Sequence, residues 1–412
     1  MDMPVIVPRA CGLDVHKKTV QACVHILDKR GQGSEALQTF GTTTRQLLAL
    51  RDWLMSLQVT HVAMESTGVY WKPLWHLLAG DLQCLLVNAQ HIKHVPGRKT
   101  DVTDSQWIAQ LLQHGLLRSS FVPDPPPQQW RDLTRLRTPL VAKASQAANR
   151  IQKVLEDANI KLASVASDPL GVSGRAMLHA MIDGQQDPVV LASYAKGRLR
   201  SKNEELKEAL LGRVTEHHRF LLQVLLDDLA ATEQLIERVE QRIEEAMAPF
   251  APQIQLLDQI PGVDLHVAHV ILAEVGPDMS RFPSAAHLCS WAAMSPGNHE
   301  SAGKRQSGKT RKANRWLRAA LVQAGWAASH TKNTYLASLY ARLVGRRGKK
   351  RALIACGHSI LNSVYYMLRD NVPYADLGSD HYERTHGQRL ARMLVARLEA
   401  QGYTVTLERH AA

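Results

Sequence analysis

The sequence is poor in the features that mark redox, zinc-ribbon and membrane proteins. Its five cysteines, Cys11, Cys23, Cys84, Cys289 and Cys356, are odd in number and widely separated, with no C-x-x-C pair. That spacing excludes a paired-cysteine zinc site or a dithiol couple and suits a reducing cytosol. No run of about 18 consecutive apolar residues occurs, and Met1 to Ala10 lacks a charged segment followed by an apolar one. The expectation is a cytoplasmic protein that neither spans a membrane nor is secreted. What is present suffices for folding: 412 residues, 45% of them hydrophobic, allow two or three domains of roughly 100–200 residues, each with a core.

Charge is unevenly placed. The net charge is +12, from 50 Lys+Arg against 38 Asp+Glu. Residues 1–125 carry 12 basic and 10 acidic side chains, residues 126–250 carry 17 and 17, and residues 251–412 carry 21 and 11. A basic end domain on near-neutral neighbours points to a polyanion held by one part of the molecule while other parts act on it. A solubilising surface is the plainer alternative.

Periodicity divides the chain in the same way. CGLDVHKKTVQACVHILD (11–28) alternates apolar and polar residues, as a strand and its return strand do. THVAMES (60–66) and QCLLVN (83–88) predict two more strands, and residues 44–57 and 70–78 have helical spacing of Leu and Trp. Strands alternating with helices imply an α/β domain over 1–125, which PDPPP (123–127) ends or joins to a linker. Residues 126–250 read as charged helices. Within them Leu222, Leu225, Leu229, Thr232, Ile236, Val239, Ile243 and Ala246 form an a/d seam, expected to pair subunits or to fold back on a neighbouring helix. Residues 251–373 form a second helical region. It opens with LLDQIPGVDLHVAHVILAEVG (256–276), two helices around a turn at Pro261 and Gly262, which reads either as a helix–hairpin–helix that grips phosphate through backbone amides or as a plain αα-hairpin. Residues 374–412 read as a helical extension.

Two constellations carry chemistry. Asp14 lies inside a strand, Glu65 ends another, and Asp101 and Asp104 open a helix with i, i+3 spacing that puts both on one face. Clustered carboxylates repel, and they persist together if cations such as Mg²⁺ neutralise them. Two such ions about 4 Å apart serve phosphodiester displacement. Read individually, the same acids could cap or favour a helix N-terminus, or sit on an edge strand. The second constellation is NHESAGKRQSGKTRKANRWLR (298–318), with Lys304, Arg305, Lys309, Arg311, Lys312, Arg315 and Arg318 against the single acid Glu300. Its small residues let amides approach phosphate, its hydroxyls Ser301, Ser307 and Thr310 can donate hydrogen bonds to phosphate, and a serine among them could accept a phosphoryl group. RLVGRRGKKR (342–351) extends the basic surface.

At these residues the sequence resembles a known family. GLDVHKK, AMESTGVYW, NAQHIKHVPGRKTDVTDSQWIAQLL, and IPGV followed by SPGNHESAGKRQSGKTRKANRWLRAAL resemble the DEDD-type insertion-sequence transposases related to the pilin-gene invertases, in order over most of residues 10–370. The resemblance implies an α/β plus all-α protein: an RNase H-like, RuvC-like domain, a coiled-coil segment, and a helical C-terminal domain with a helix–hairpin–helix. It implies Mg²⁺ on Asp14, Glu65, Asp101 and Asp104, and Ser301 as a nucleophile forming a transient phosphoserine link to DNA. The partners it implies are element-end and target DNA, a structured guide RNA, and further copies of the chain in a dimer or tetramer. A site-specific invertase or junction-resolving nuclease would use the same acids, and a non-enzymatic nucleic-acid-binding protein would treat them as structural.

Overall fold

The computed structural model describes residues 4–28, 32–66, 68–88, 92, 103–120, 125–297, 299–301, 303–311 and 314–406. The chain divides into two compact units, Met1–Val122 and Pro123–Ala412.

The first unit is built on a five-stranded sheet: β1 (Arg9–Val15), β2 (Thr19–Leu27), β3 (Gly33–Gly41), β4 (His61–Glu65) and β5 (Gln83–Val87), in the order β3-β2-β1-β4-β5. The β1–β2 and β2–β3 pairs are antiparallel, while β1–β4 and β4–β5 are parallel. The two-residue period of a strand sends alternate side chains to opposite faces. Cys11, Leu13 and Val15, with Val20, Ala22 and Val24, pack against Leu47, Leu50 and Leu54 of α1 (Thr44–Ser56) and Leu74 and Leu78 of α2 (Trp71–Leu78). Ala10, Ala63 and Val87 on the other face meet Trp107, Ile108, Leu111 and Leu112 of α3 (Asp104–Gln113). The close approach of α3 explains Gly12: a Cβ there would lie 2.1 Å from the Ser105 carbonyl oxygen and 2.4 Å from the Ala109 amide. The expected strands and helices of this unit are present. Strand β3 was not anticipated; it is an exposed edge, and Phe40 is its one buried side chain.

Among its described residues the second unit is helical apart from one hairpin. Pro125–Pro127 do not form a linker: they open α4 (Pro125–Asp157), because a first-turn amide has no helical partner to lose. The short helices α5 (Leu162–Val165), α6 (Val172–Ile182), α7 (Pro188–Ser193) and α8 (Asn203–Ala209) follow, and then α9 (Glu216–Met247) returns antiparallel to α4. Direct contacts fix that direction: the Trp130 indole donates to the Ala246 carbonyl, Arg137 pairs with Glu240, and Lys143 with Asp228. The a/d seam thus folds back on a helix of its own chain. Leu222, Leu229, Thr232 and Ile243 are buried, with Leu226 and Met247 added. The pair joins two cores. Leu222, Leu226 and Leu229 belong to one with α5–α8, and Ile243 and Met247 to the other.

That other core contains α10 (Ala251–Asp258), α11 (Leu265–Val275), α12 (Ala285–Trp291), α13 (Arg315–Ala328), α14 (Tyr335–Arg347) and α15 (Lys349–Asp370). The hairpin is β6 (His299–Ser301) and β7 (Lys304–Ser307), and α16 (His381–Glu399) lies in the C-terminal extension. The α10–turn–α11 pair has its Gly262 at φ +84°, and a Cβ there would lie 2.3 Å from the Ala324 carbonyl oxygen of α13. Gly262 therefore faces α13. No helix among the described residues is long and apolar enough to cross a membrane.

Candidate active site and nucleic-acid interface

In the first unit the topology brings the acids to one end of the sheet. Leu13 and Met64 are register partners on the adjacent parallel strands β1 and β4, so Asp14 and Glu65 each stand one residue further on. Both follow the Ala10/Gly12 and Ala63 faces, on which α3 lies. Asp104 is the first residue of α3, whose cap is supplied by Thr103: its hydroxyl accepts the Gln106 amide at 3.4 Å, and the Gln106 side chain accepts the Thr103 amide at 3.0 Å. Thr103, and not Asp104, does the capping. Asp101 lies outside the described residues; the other expected acids are thus placed.

The electrostatics follow from that convergence. Burial holds the Asp14 carboxyl above the ordinary carboxylate range. His16, with Nε2 3.1 Å from Oδ2, pulls it down, while the like charges of Asp104 and Glu65 push it up. A carboxylate raised by burial and by like-charged neighbours gains when a cation enters. All three donors are hard oxygens, the set that Mg²⁺ takes. Among the described residues, though, the acids are not drawn into a group of three with ligand atoms within 4.8 Å of one another; Cys23, His25 and Glu35 form such a group.

In the second unit one buried carboxylate organises the basic segment. Glu274 of α11 has no exposed surface, and Arg135 grips it through two hydrogen bonds of 2.8 Å. Arg131 lies at 3.2 Å, and the Asn314 side-chain amide donates to it at 2.6 Å. The Asn314 carbonyl oxygen meanwhile caps α13 by accepting from the Trp316 and Leu317 amides. Glu274 therefore fixes where α13 begins, and with it Arg315 and Arg318. Burial pushes the Arg131 guanidinium down to about 10, and Glu274 opposes that shift.

The segment expected as a basic loop is largely the β6–β7 hairpin, turned at Gly303 with φ +74°. Ser301 ends β6 and pairs in register with Lys304, which is exposed; Arg305 follows on β7 opposite Glu300. Arg311 donates to the Ser290 hydroxyl at 2.7 Å, and Arg315 lies over the Trp316 ring at 4.5 Å. Lys312 lies outside the described residues. Lys309 and Arg318 line a cleft of about 1180 Å³ together with Arg347, Lys350 and Arg351. His358 and Asn362 of α15 line it too, and the sequence reading missed them. The signal was there: Arg351, Ala355, His358 and Asn362 recur at helical spacing as a stripe without large apolar side chains on α15. Burial holds His358 below the ordinary histidine range, so the cleft's standing charge comes from its lysines and arginines. Burial pushes every cysteine thiol up, Cys11 well above its ordinary value, Cys23, Cys84 and Cys289 to about 12 and Cys356 to about 11, with Glu35 adding to the shift of Cys23, so none stands as a free thiolate nucleophile.

Comparison with known proteins falls on these same regions. The IS110-type DEDD transposase model, described as a transposase, matches residues 11–160, and a model for the transposase IS116/IS110/IS902 family matches residues 254–341. An insertion element IS110 uncharacterized 43.6 kDa protein of Streptomyces coelicolor is 26% identical over 304 residues, 68% of this chain and 73% of that protein. The pilin gene-inverting protein of Moraxella bovis is 21% identical over 374 residues, 88% of this chain and 96% of its own. That of Moraxella lacunata is equally similar. One family's two models thus cover the strands with the acids and the helices with the basic hairpin, and the chain belongs to the IS110 family of transposases, enzymes of DNA recombination.

Proposed function

We propose that this chain cuts and rejoins DNA strands at insertion-sequence ends, with an acidic metal site in its first unit and a serine nucleophile in its second. The observation that carries the reading is the convergence of Asp14, Glu65 and Asp104 at one end of the sheet, where burial first, and then the like charges of Asp104 and Glu65, raise Asp14. The sheet order, two antiparallel pairs followed by two parallel ones, supports an RNase H-like, RuvC-like domain. Asp14, Glu65, Asp104 and, by sequence, Asp101 would hold divalent cations, with Mg²⁺ the best match to an all-carboxylate set. When bound, such ions supply electrophilic activation of a phosphodiester and stabilise a leaving oxygen.

The chain's own groups do the rest. The Ser301 hydroxyl oxygen bonds to phosphorus, the phosphoester bond to one backbone oxygen breaks, and that oxygen leaves with the proton the serine gives up. Reversal by another strand's hydroxyl frees the serine and joins the new ends. Lys304, Arg305, Lys309, Arg311, Lys312, Arg315 and Arg318 hold the phosphates, and Gly262 shapes the turn that presents neighbouring amides. The working form is a homo-oligomer, a dimer or a tetramer, acting in the cytoplasm on DNA with a structured guide RNA from the element. Inversion of a DNA segment is the second reading, favoured by the Moraxella relatives, which are named pilin gene-inverting proteins.

The test is a covalent adduct. Incubated with element-end DNA, the element's noncoding RNA and Mg²⁺, the protein should yield a DNA–protein species that survives denaturation and disappears in Ser301→Ala. An adduct retained by Ser301→Ala refutes the nucleophile, and free ends without any adduct favour a hydrolytic nuclease.

A further inference from the structure

We propose that Cys23, His25 and Glu35 form a zinc site on the antiparallel half of the sheet, separate from the acidic site. Cys23 and His25 are two residues apart on β2, so the strand period puts both on one face, and Glu35 is the register partner of His25 on β3. One donor atom from each lies within 4.8 Å of the other two. Zinc bonds of about 2.0–2.3 Å place tetrahedral ligands roughly 3.3–3.8 Å apart, so side-chain adjustments of about 1 Å close the shell.

The surrounding bonds orient the donors toward one point. His25 Nδ1 lies 3.3 Å from the Gln113 side-chain oxygen, which makes Nδ1 the protonated nitrogen and leaves a lone pair on Nε2. Nε2 is buried without a hydrogen-bond partner, although Glu35 Oε2 stands only 3.3 Å away. Two lone pairs facing each other at that distance require a cation or an extra proton between them. The other Glu35 oxygen, Oε1, already accepts from Gln106 Nε2 at 2.6 Å. A ligand histidine whose far nitrogen is held, and a ligand carboxylate whose far oxygen is held, are the usual second layer of a metal centre. Gln106 and Gln113 come from the two ends of α3, so an ion here would tie β2 and β3 to the helix that carries Asp104. The thiol decides the metal: sulfur with imidazole and one carboxylate selects zinc over Mg²⁺, and a water completes the tetrahedron. The chain therefore separates two metals by donor hardness.

Full-length protein stripped with a chelator and titrated with zinc alone should take up about one high-affinity zinc per chain and melt at a higher temperature. Cobalt in place of zinc should show a sulfur-to-metal charge-transfer band. Glu35→Gln, at a largely exposed side chain, and Cys23→Ser should each abolish the stoichiometric uptake and the thermal shift. Gln113→Leu should weaken zinc by about 10–100-fold, and millimolar Mg²⁺ should leave the uptake unchanged. The proposal is overturned if the stripped protein takes up no zinc, or if Glu35→Gln binds it as tightly as the native chain. In either case His25 and Glu35 are a cross-strand ion pair and no more.

Discussion

Asp14 and Glu274 are both acids inside mainly apolar segments, and the structure treats them in opposite ways. Glu274, fully buried, is met by two guanidiniums and an amide, so its charge is consumed within the fold. Asp14, with a side chain 19% exposed, is met by one histidine and by the like charges of Asp104 and Glu65, which act against it. A buried acid with complementary partners holds elements together, whereas acids turned toward one another create a demand for a cation. The acidic metal site proposed above rests on the second arrangement.

The largest effect expected from the comparison is on stability. Glu274→Ala removes the carboxylate that Arg131 and Arg135 share and releases the Asn314 side chain that caps α13, which should cost about 3–5 kcal/mol. Denaturant unfolding of the second unit measures it; a change of about 1 kcal/mol or less would make the network ornamental. Next comes acid sensitivity. Burial first, and Arg137 next, push His266 of α11 from 6.5 down to about 4, so the folded protein keeps it neutral where the unfolded chain takes up a proton. Its contribution is fully present above pH 6.5 and is lost as pH falls toward 4, so the melting temperature should drop across that window and drop less in His266→Gln. The smallest effect belongs to the cleft. Arg318→Ala should weaken DNA binding by about 1 kcal/mol, reduce the salt slope by about 1, and leave the melting temperature unchanged. An unchanged salt slope would remove Arg318 from the phosphate surface.

The first unit was the more legible in sequence because its core is written in local alternation. Leu13 and Val15, Val20 and Ala22, and the Leu spacing of α1 repeat at the periods their elements require. The same logic made Asp14 visible, as an acid between apolar neighbours. Strand β3 escaped because GSEALQTFG buries one side chain; its pairing to β2 comes from backbone register, which leaves no apolar signature. The β6–β7 hairpin escaped because its strands, HES and KRQS, hold no apolar residue to alternate. The proline run marked the end of the first unit, and what it did not reveal is that Pro125–Pro127 open a helix directly. The Glu274 network could not be read at all, since its arginines lie 139–143 positions away and only folding makes them neighbours. The seam of α9 announced a helical partner without saying whose, and α4 supplied it.

The most direct measurement is thermal melting of the native chain and of Asp14→Asn, each without metal and with Mg²⁺. Because Asp14 is raised above the usual carboxylate range, its neutralisation should leave the metal-free melting temperature unchanged or higher. Mg²⁺ should then raise the melting temperature of the native chain by binding the folded form, and raise that of Asp14→Asn much less. A Mg²⁺-dependent rise of the same size in both proteins would contradict a cation site at Asp14.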